Sequence, residues 1–539
     1  MPVAPANPAP DKRRWLGLVV ISIAVALIIV DSTIVNVAIP SVVDELDITS
    51  TQVQWVQESY TLVFASLLLV FGTLADRFGR RRMLLIGVSL FALSSVAAAL
   101  AANGELLIAS RVVQGLGGAM ILPATLSLLN ASFTGRERGI AFAVWGSTIG
   151  GMAAVGPLLG GWLTTDFSWR WAFGINLPLG ILIVVGALLV VRESRADELR
   201  RIDLVGAALS VVLFTSLVFG LIEGRSYGWW ATDRGAPDFW TLDVSPIPFA
   251  FALAAVALVA FIAWGVHRER RGLPTMIAFP LFRLASFRNG NIAALIVSLG
   301  EFGIILSLPL WLQNVLGYDA LQTGFLLLAL AGGSFVASGF AGASSGRVSP
   351  VWVVRAGILA EIVGLVIVAL VIAVDTPWWQ TAIGLLVYGF GVGLATAQLT
   401  GVVLADVPVA RSGQASGTQS TSRQVGSALG IAILGTVLFT SLATQLDDRL
   451  PEQLTGDVRQ QVIDVVVDSA GSAIPGLEER SPEAADAARA AFSEATRASA
   501  FTAAGFLALG LLATLSLGGS PAAGRRRPTP EGTPASSAP

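Results

Sequence analysis

Cysteine is absent from this chain of 539 residues, and histidine occurs once, at His267. The first absence excludes disulfides, thiolate metal sites and thiol nucleophiles. The second leaves no basis for a histidine-dependent catalytic triad or a multi-histidine metal site, because His267 stands in a basic run at the end of an apolar stretch, where a histidine is simply solvated. Charge is scarce too. Only 13% of residues are charged, against about 25% in ordinary soluble domains. The chain therefore reads as a non-enzyme with no metal and no cofactor, and nothing in it suggests a nucleic-acid partner.

What is abundant is apolar sequence. Hydrophobic residues make up 54% of the chain, clustered in runs of roughly 18 to 25, the length that crosses about 30 Å of hydrocarbon as helix. Membrane β-strands would be about ten residues long and alternate in polarity, so a barrel is excluded. Fourteen spans are expected, at 15–38, 53–74, 83–102, 106–129, 139–162, 171–191, 203–221, 248–266, 290–312, 321–343, 351–374, 379–404, 416–440 and 499–518. Lys12, Arg13 and Arg14 precede the first run, which continues without a cleavage site and reads as a retained helix.

Basic residues orient the spans. With the N-terminus inside, 24 of the 34 lysines and arginines fall on the inner side, counting Arg355 at the inner end of its span, and eight in outer segments. The inner set includes Arg136, Arg138, Arg200, Arg201, Arg268, Arg270 and Arg271. Both termini are thus expected in the cytoplasm, with 1–14 an inner tail and 519–539 a Pro/Ser/Thr-rich disordered one. The segment 441–498 is polar and outside. Val458, Val462, Val465 and Val466 have helical spacing, and Ala484 to Thr496 also reads as helix, so an amphipathic hairpin loop is expected, either merely solvated or a lid.

A weak internal repeat adds to this. Gly72 and Gly79-Arg80 recur as Gly339 and Gly346-Arg347, at an offset of 267, and Gly115-x-Gly117 recurs as Gly389-x-Gly391, at an offset of 274. The repeat relates 15–191 to 290–518 and leaves 203–266 as two inserted helices. The expected fold is all-α and polytopic: two six-helix halves plus two inserted helices, with binding near the midplane between the halves.

Four segments carry chemistry. The stretch 72–82, Gly-Thr-Leu-Ala-Asp-Arg-Phe-Gly-Arg-Arg-Arg, packs four arginines and Asp76 into one short connection. Gly72 and Gly79 permit close approach and a tight turn. Asp76 can cap a neighbouring helix, and Arg77 and Arg80 can pair across the halves to hold the inner side shut. Arg81 and Arg82 read as topological anchors. The second copy has Ala343 where the first has Asp76, so the gate is expected to be asymmetric. The other segments are Asp31-Ser-Thr-Ile-Val-Asn36-Val-Ala-Ile-Pro40 in the first span, Arg111-Val-Val-Gln114-Gly115 in the fourth, and Gly156-Pro157-Leu-Leu-Gly160-Gly161 in the fifth. Small residues in the last let helices pack backbone to backbone, and Pro157 favours a kink.

Taken in order along spans 1 to 5, these segments resemble the motifs of the major facilitator superfamily, in its fourteen-span drug:proton antiporter branch. Arg423-Gln424 and the glycines of the second half extend the likeness. One departure is Met152, where that pattern has a glycine; Gly150 and Gly151 lie just upstream. The resemblance implies that 72–82 is the inner gate, that Arg111 and Gln114 belong to a proton-coupling motif, and that Gly156, Pro157, Gly160 and Gly161 form a kinked helix that seals against leak. It adds Asn36 and Gln114 as polar cavity candidates.

Among the charged side chains within the spans, six stand out: Asp31, Glu58, Arg111, Glu301, Glu361 and Arg423. Burying a charge at mid-membrane costs roughly 2.5–3.5 kcal/mol on insertion scales, so such residues mark pathways. Asp31 and Arg111 lie at similar depth and can pair, either as a permanent lock or as a pair that a proton or a cation breaks. Glu58 lies near the outer surface, either interfacial or functional. Glu301 and Glu361 sit at mid-depth among apolar residues, where an unpaired carboxylate favours its neutral form, and Arg423 can neutralise one of them.

The expected function is proton-coupled efflux of a lipophilic, cationic drug or antibiotic by alternating access. The partners are the substrate, protons and the lipid of a plasma membrane (a bacterial inner membrane), in a monomer with no cofactor but the proton motive force. Two other readings stay open: an exporter or flippase of an endogenous lipid, amino acid or natural product, and a sensor or scaffold that moves nothing.

Overall fold

Runs of twenty and more apolar residues, with little but helix formers inside them, have one way to satisfy their backbone groups away from water, and that is to form helices. The computed structural model describes residues 13–195, 202–233, 235–237, 240–344, 346–451, 454 and 456–517. The expectations for Lys12, Arg200, Arg201 and the 519–539 tail lie outside them. The helices are α1 (Arg13–Leu46), α2 (Ser50–Phe78), α3 (Arg80–Ala99), α4 (Gly104–Ser132), α5 (Gly135–Asp166), α6 (Arg170–Gly174), α7 (Asn176–Val190), α8 (Leu204–Tyr227) and α9 (Pro246–Arg270). They continue as α10 (Ala285–Asn314), α11 (Ala320–Ser344), α12 (Pro350–Val371), α13 (Trp378–Val403), α14 (Ser412–Arg449), α15 (Gly456–Asp468), α16 (Ile474–Glu478) and α17 (Pro482–Ala513). Among the described residues there is no strand, only an isolated bridge between Ala231 and Val244.

Among the described residues thirteen spans are long and apolar enough to cross a membrane, and α5 makes a fourteenth if its two parts, bent by 41°, count as one. The protein is a multi-pass membrane protein. The bend lies between Ala153 and Val155, beside Pro157, whose missing N–H frees the carbonyl one turn back. Helix starts use side-chain caps. Thr49 and Gln52 form a capping box on α2, Asn103 caps α4, and Asp203 caps α8, each satisfying a backbone N–H that would otherwise lack a partner.

The repeat is visible as packing. Gly115 lies against the Tyr60 carbonyl of α2, and Gly117 against Gly87 and Phe91 of α3. Gly389 lies against the Leu330 carbonyl of α11, and Gly391 against Gly357 and Glu361 of α12. Thus α4 wedges between α2 and α3 as α13 wedges between α11 and α12, backbone against backbone. One half comprises α1 to α7, the other α10 to α14 with α17. The pair α8–α9 packs outside, with α8 against α2 and α14.

Two expectations need correction. The seventh span runs on to Tyr227 rather than ending at 221. The segment 441–498 is not a separate hairpin loop: α14 continues to Arg449, α15 and α16 are short, and 482–498 is the first half of α17, continuous with the last span. Alanine is the strongest helix former, and the run from Ala484 to Ala504 has no Gly or Pro to stop it.

Candidate functional site

Three polar clusters stand out among the described residues, one joining the halves and one inside each half. The first is at the arginine-rich end. Asp76, near the end of α2, is buried and reaches the start of α14, where its carboxylate accepts from the backbone N–H of Gly413 (2.7 Å) and Gln414 (2.9 Å). It also accepts from Arg80 Nε and Nη2, at 3.2 and 2.8 Å. A carboxylate at a helix N-terminus meets unpaired N–H groups and the positive end of the helix dipole. Arg80, fully buried, donates onward to the Val409 carbonyl and to Ser194 Oγ. Gly72 makes this approach possible, because a Cβ there would strike the backbone of Gly413 and Gly417. Gly79 turns the chain with φ +110°, a conformation that favours glycine.

Further bonds join the halves at this end. Asn130 donates to Ser412 Oγ (2.7 Å), and Arg138 donates to the Ala405 carbonyl (3.1 Å) and to Asn130 Oδ1 (3.1 Å). Arg77 lies over the Phe78 ring. Arg81 and Arg82 are more than anchors: their backbone N–H groups donate to Glu193, and the Arg81 side chain donates to the Val191 carbonyl. Arg138 and Glu193 were legible only as loop charges. Asn130 carries no sequence signal at all.

The second cluster is deep in the first half. Asp31 of α1 is completely buried. Its Oδ2 accepts from Arg111 Nη1 at 2.6 Å, and its Oδ1 from Gln114 Nε2 at 3.1 Å and Asn176 Nδ2 at 2.7 Å. Arg111 also donates to the Val56 carbonyl and lies 4.3 Å from the centre of the Tyr60 ring. Gln114 and Asn176 both donate to Ser95 Oγ. Every oxygen of Asp31 is therefore partnered from α4 and α7. The motif glycines of α5 pack just beyond: a Cβ on Gly156 would strike Thr33, and one on Gly160 would crowd Ile34. Gly161 is buried beside them. Gly150 and Gly151 do not substitute for a glycine at Met152. They face Ser334 and Phe335 of α11, while Met152 packs in the cluster around α1. The Asn36 side chain lies outside the described set.

The third cluster is in the other half, and it is incomplete. Glu301 of α10 accepts from Thr396 Oγ1 at 2.8 Å and lies 3.4 Å from Arg423 Nη2. Tyr388 donates its hydroxyl to the Glu301 carbonyl at 3.2 Å. Glu361 of α12 is fully buried, and neither of its carboxylate oxygens has a donor among the described residues; Arg423 Nη1 is likewise unpartnered. Beside this cluster a small apolar pocket opens, lined among others by Ile304, Leu308, Leu330, Leu385, Tyr388 and Ala153. Ile304 is one turn from Glu301, so pocket and carboxylate share a wall. Among the described residues no group of three or more acidic, histidine or cysteine side chains could hold a metal ion.

Glu58 is apart from all three clusters. It is half-buried against α8, where Gln54 links it to Glu223.

A family model described as Major Facilitator Superfamily matches residues 21–431. The chain is 34% identical to a probable actinorhodin transporter of Streptomyces coelicolor, over 78% of this chain and 72% of that protein. It is 35% identical to a puromycin resistance protein of Streptomyces alboniger, over 77% and 80% of the two chains. To a multidrug efflux pump of Mycolicibacterium smegmatis it is 30% identical, over 78% and 80%. Among solved structures it resembles a human organic anion transporter, with a TM-score of 0.58 at 12% identity over 94% of this chain and all of that one. It also resembles a bacterial homologue of the human lysosomal transporter Spinster, inward-facing and occupied, with a TM-score of 0.54 at 16% identity over 94% and 97%.

Proposed function

Because the chain belongs to the major facilitator superfamily, whose drug and antibiotic efflux proteins it matches along most of its length, we propose that it exports a lipophilic compound from the cytoplasm across the plasma membrane in exchange for protons. The arginine-rich end is then the cytoplasmic one, by the positive-inside bias, and both termini are inside. The observation that carries the reading is the third cluster. Two buried carboxylates share one arginine beside an apolar pocket, so this half has one more acid than it can neutralise.

That imbalance suits exchange. A proton on Glu361 or Glu301 frees Arg423 from part of its load, and loss of the proton leaves a negative site that attracts a cationic substrate. Tyr388 supplies an aromatic wall to the pocket, and a cation over such a ring gains about 0.5–2 kcal/mol. The Asp76 clasp closes the inner side in this state. Breaking it, and rocking the halves, would present the pocket to the cytoplasm.

The test is efflux in inverted vesicles under an imposed pH gradient, with Glu301→Gln and Glu361→Gln measured separately. Proton-driven transport should fall by about tenfold or more, which is about 1.4 kcal/mol of coupling, while substrate binding in the absence of a gradient persists. Full gradient-driven transport in both variants defeats the mechanism. A second reading is export of one natural product. Relatives named for a single compound, actinorhodin or tetracenomycin C, favour it, and a chain that moves one natural product and no cationic dye decides for it.

A further inference from the structure

The inserted pair α8–α9 lies outside the exchange path just described, yet it holds a buried carboxylate that this path does not use. Glu223, in the last turn of α8, is 1% exposed. It meets Glu58 of α2, and both acids contact a single amide. Gln54 Nε2 donates to Glu223 Oε2 at 2.6 Å and to Glu58 Oε1 at 3.3 Å, and lies 3.0 Å from Ser226 Oγ. The two carboxylates are within hydrogen-bonding reach of each other. The remaining oxygens, Glu58 Oε2 and Glu223 Oε1, are buried with no donor among the described residues.

Two acids sharing one amide, with two oxygens lacking a donor, form a site that is short of one hydrogen. Away from water two such carboxylates cannot both carry charge, and a buried acceptor left unmade costs about 1–3 kcal/mol. A single proton on either acid answers both problems. It removes one charge and provides an O–H that can serve the other carboxylate.

Among the described residues no cation pairs with the two acids. On α8, Tyr227 feels the charge of both acids. Arg225 turns away from the pair: its guanidinium stacks on Phe439 of α14 (3.2 Å to the ring centre) and donates to the Val467 carbonyl of α15, with Asp468 next to it. On α4, Arg111 is committed to Asp31. From α14 the neighbour here is Phe439, and the nearby end of α9, from Pro246 onward, is apolar.

We propose that Glu58 and Glu223 form a second proton-binding site, distinct from the Glu301–Glu361 cluster, whose proton holds the inserted pair on the first half. The geometry also gives the proton a consequence. The turn that carries Glu223 to α2 carries Arg225 to α14 and α15, so this one turn straps the two halves together at the end opposite the Asp76 clasp. Losing the proton sets two like charges against each other across α2 and α8, and the strap loosens.

The inference adds a site to the transport reading, but its test is independent of transport. Purified full-length chain in lipid, without substrate, is followed by infrared difference spectroscopy of the carboxylic acid C=O stretch, in the native chain, in Glu223→Gln and in Glu58→Gln. Each variant should lack one protonated-carboxyl band present in the native chain at neutral pH, and that band should bleach as the pH is raised. Amide exchange in 456–468, corrected for its intrinsic pH dependence, should rise by about threefold or more as the native band bleaches, and stay flat in both variants. A band unchanged in both variants overturns the site. Exchange that follows pH equally in Glu223→Gln and the native chain overturns the strap. Should Glu223→Gln not fold, Glu58→Gln reads the same pair from α2. Loss of the band in a chain that moves no drug would leave this inference standing and the transport reading defeated.

Discussion

Each half places a carboxylate near the middle of its first helix, Asp31 in α1 and Glu301 in α10, and then treats it in opposite ways. Asp31 is saturated: three side chains from two other helices supply its donors, at 2.6 to 3.1 Å, and Arg111 has further partners of its own. Glu301 has a hydroxyl and a guanidinium at 3.4 Å, with a second, bare carboxylate nearby. A fully satisfied buried network is rigid, whereas a partly satisfied one is where an added proton or ligand changes the balance most. The difference teaches that pairing, and not burial, separates a lock from an exchange site. Burial is complete or nearly so for Asp31, Glu301 and Glu361 alike.

The strongest way to break this comparison is Asp31→Asn. Removing one partner of a buried ion pair strands the other, and should destabilise by about 3–5 kcal/mol. Thermal unfolding in detergent should show the loss at every pH, with partial rescue by Arg111→Gln in the same chain. A stable Asp31→Asn protein that loses only transport would make the first half a carrier as well. Next in size, Glu301→Gln should leave stability within about 1 kcal/mol and flatten the pH dependence of efflux. Glu361→Gln should be the quieter of the two in stability, since no donor loses its acceptor.

A smaller effect is expected at the clasp. Asp76→Asn weakens a helix cap and its arginine pair, by about 1–2 kcal/mol. The chain has no cysteine of its own, so Ser412→Cys placed in this variant reports opening without background. Its labelling rate should rise several-fold, and an unchanged rate would remove the clasp from the gating scheme. Smallest of all, Thr396→Val removes one hydrogen bond to Glu301, about 1 kcal/mol, and should shift the pH midpoint of efflux while leaving its maximum intact.

The spans were legible because apolar runs of that length have few other uses, and the Asp31–Arg111 pair because equal depth in neighbouring spans is readable from residue counting. What completes that network was not. Asn176 and Ser95 are short polar side chains inside apolar runs, where such residues ordinarily bond their own helix backbone. Asn176 stands at the break between α6 and α7 and donates across to Asp31. The partner of Asp76 was illegible for a different reason: it is a pair of backbone N–H groups more than three hundred residues away, and backbone groups have no sequence signature. Glu223 lies just past the apolar run of its span, where hydropathy alone places it in a loop although the helix continues to Tyr227. The outer segment misled through composition. Polar residues between apolar runs suggest a loop, but an alanine-rich stretch keeps its helical hydrogen bonds on either side of a membrane boundary.

That continuity of α17 has a practical side. Thirty-two residues of unbroken helix make a rod of about 48 Å, and its far end is tied by Arg355 to the Thr514 carbonyl and by Asn289 to the Ser516 carbonyl. The first turns of the rod carry exposed acidic side chains, Glu483 and Asp486 among them. An antibody fragment that grips those turns would hold one end of a shaft whose other end is tied to α10 and α12, a handle on the second half reached from its polar tip.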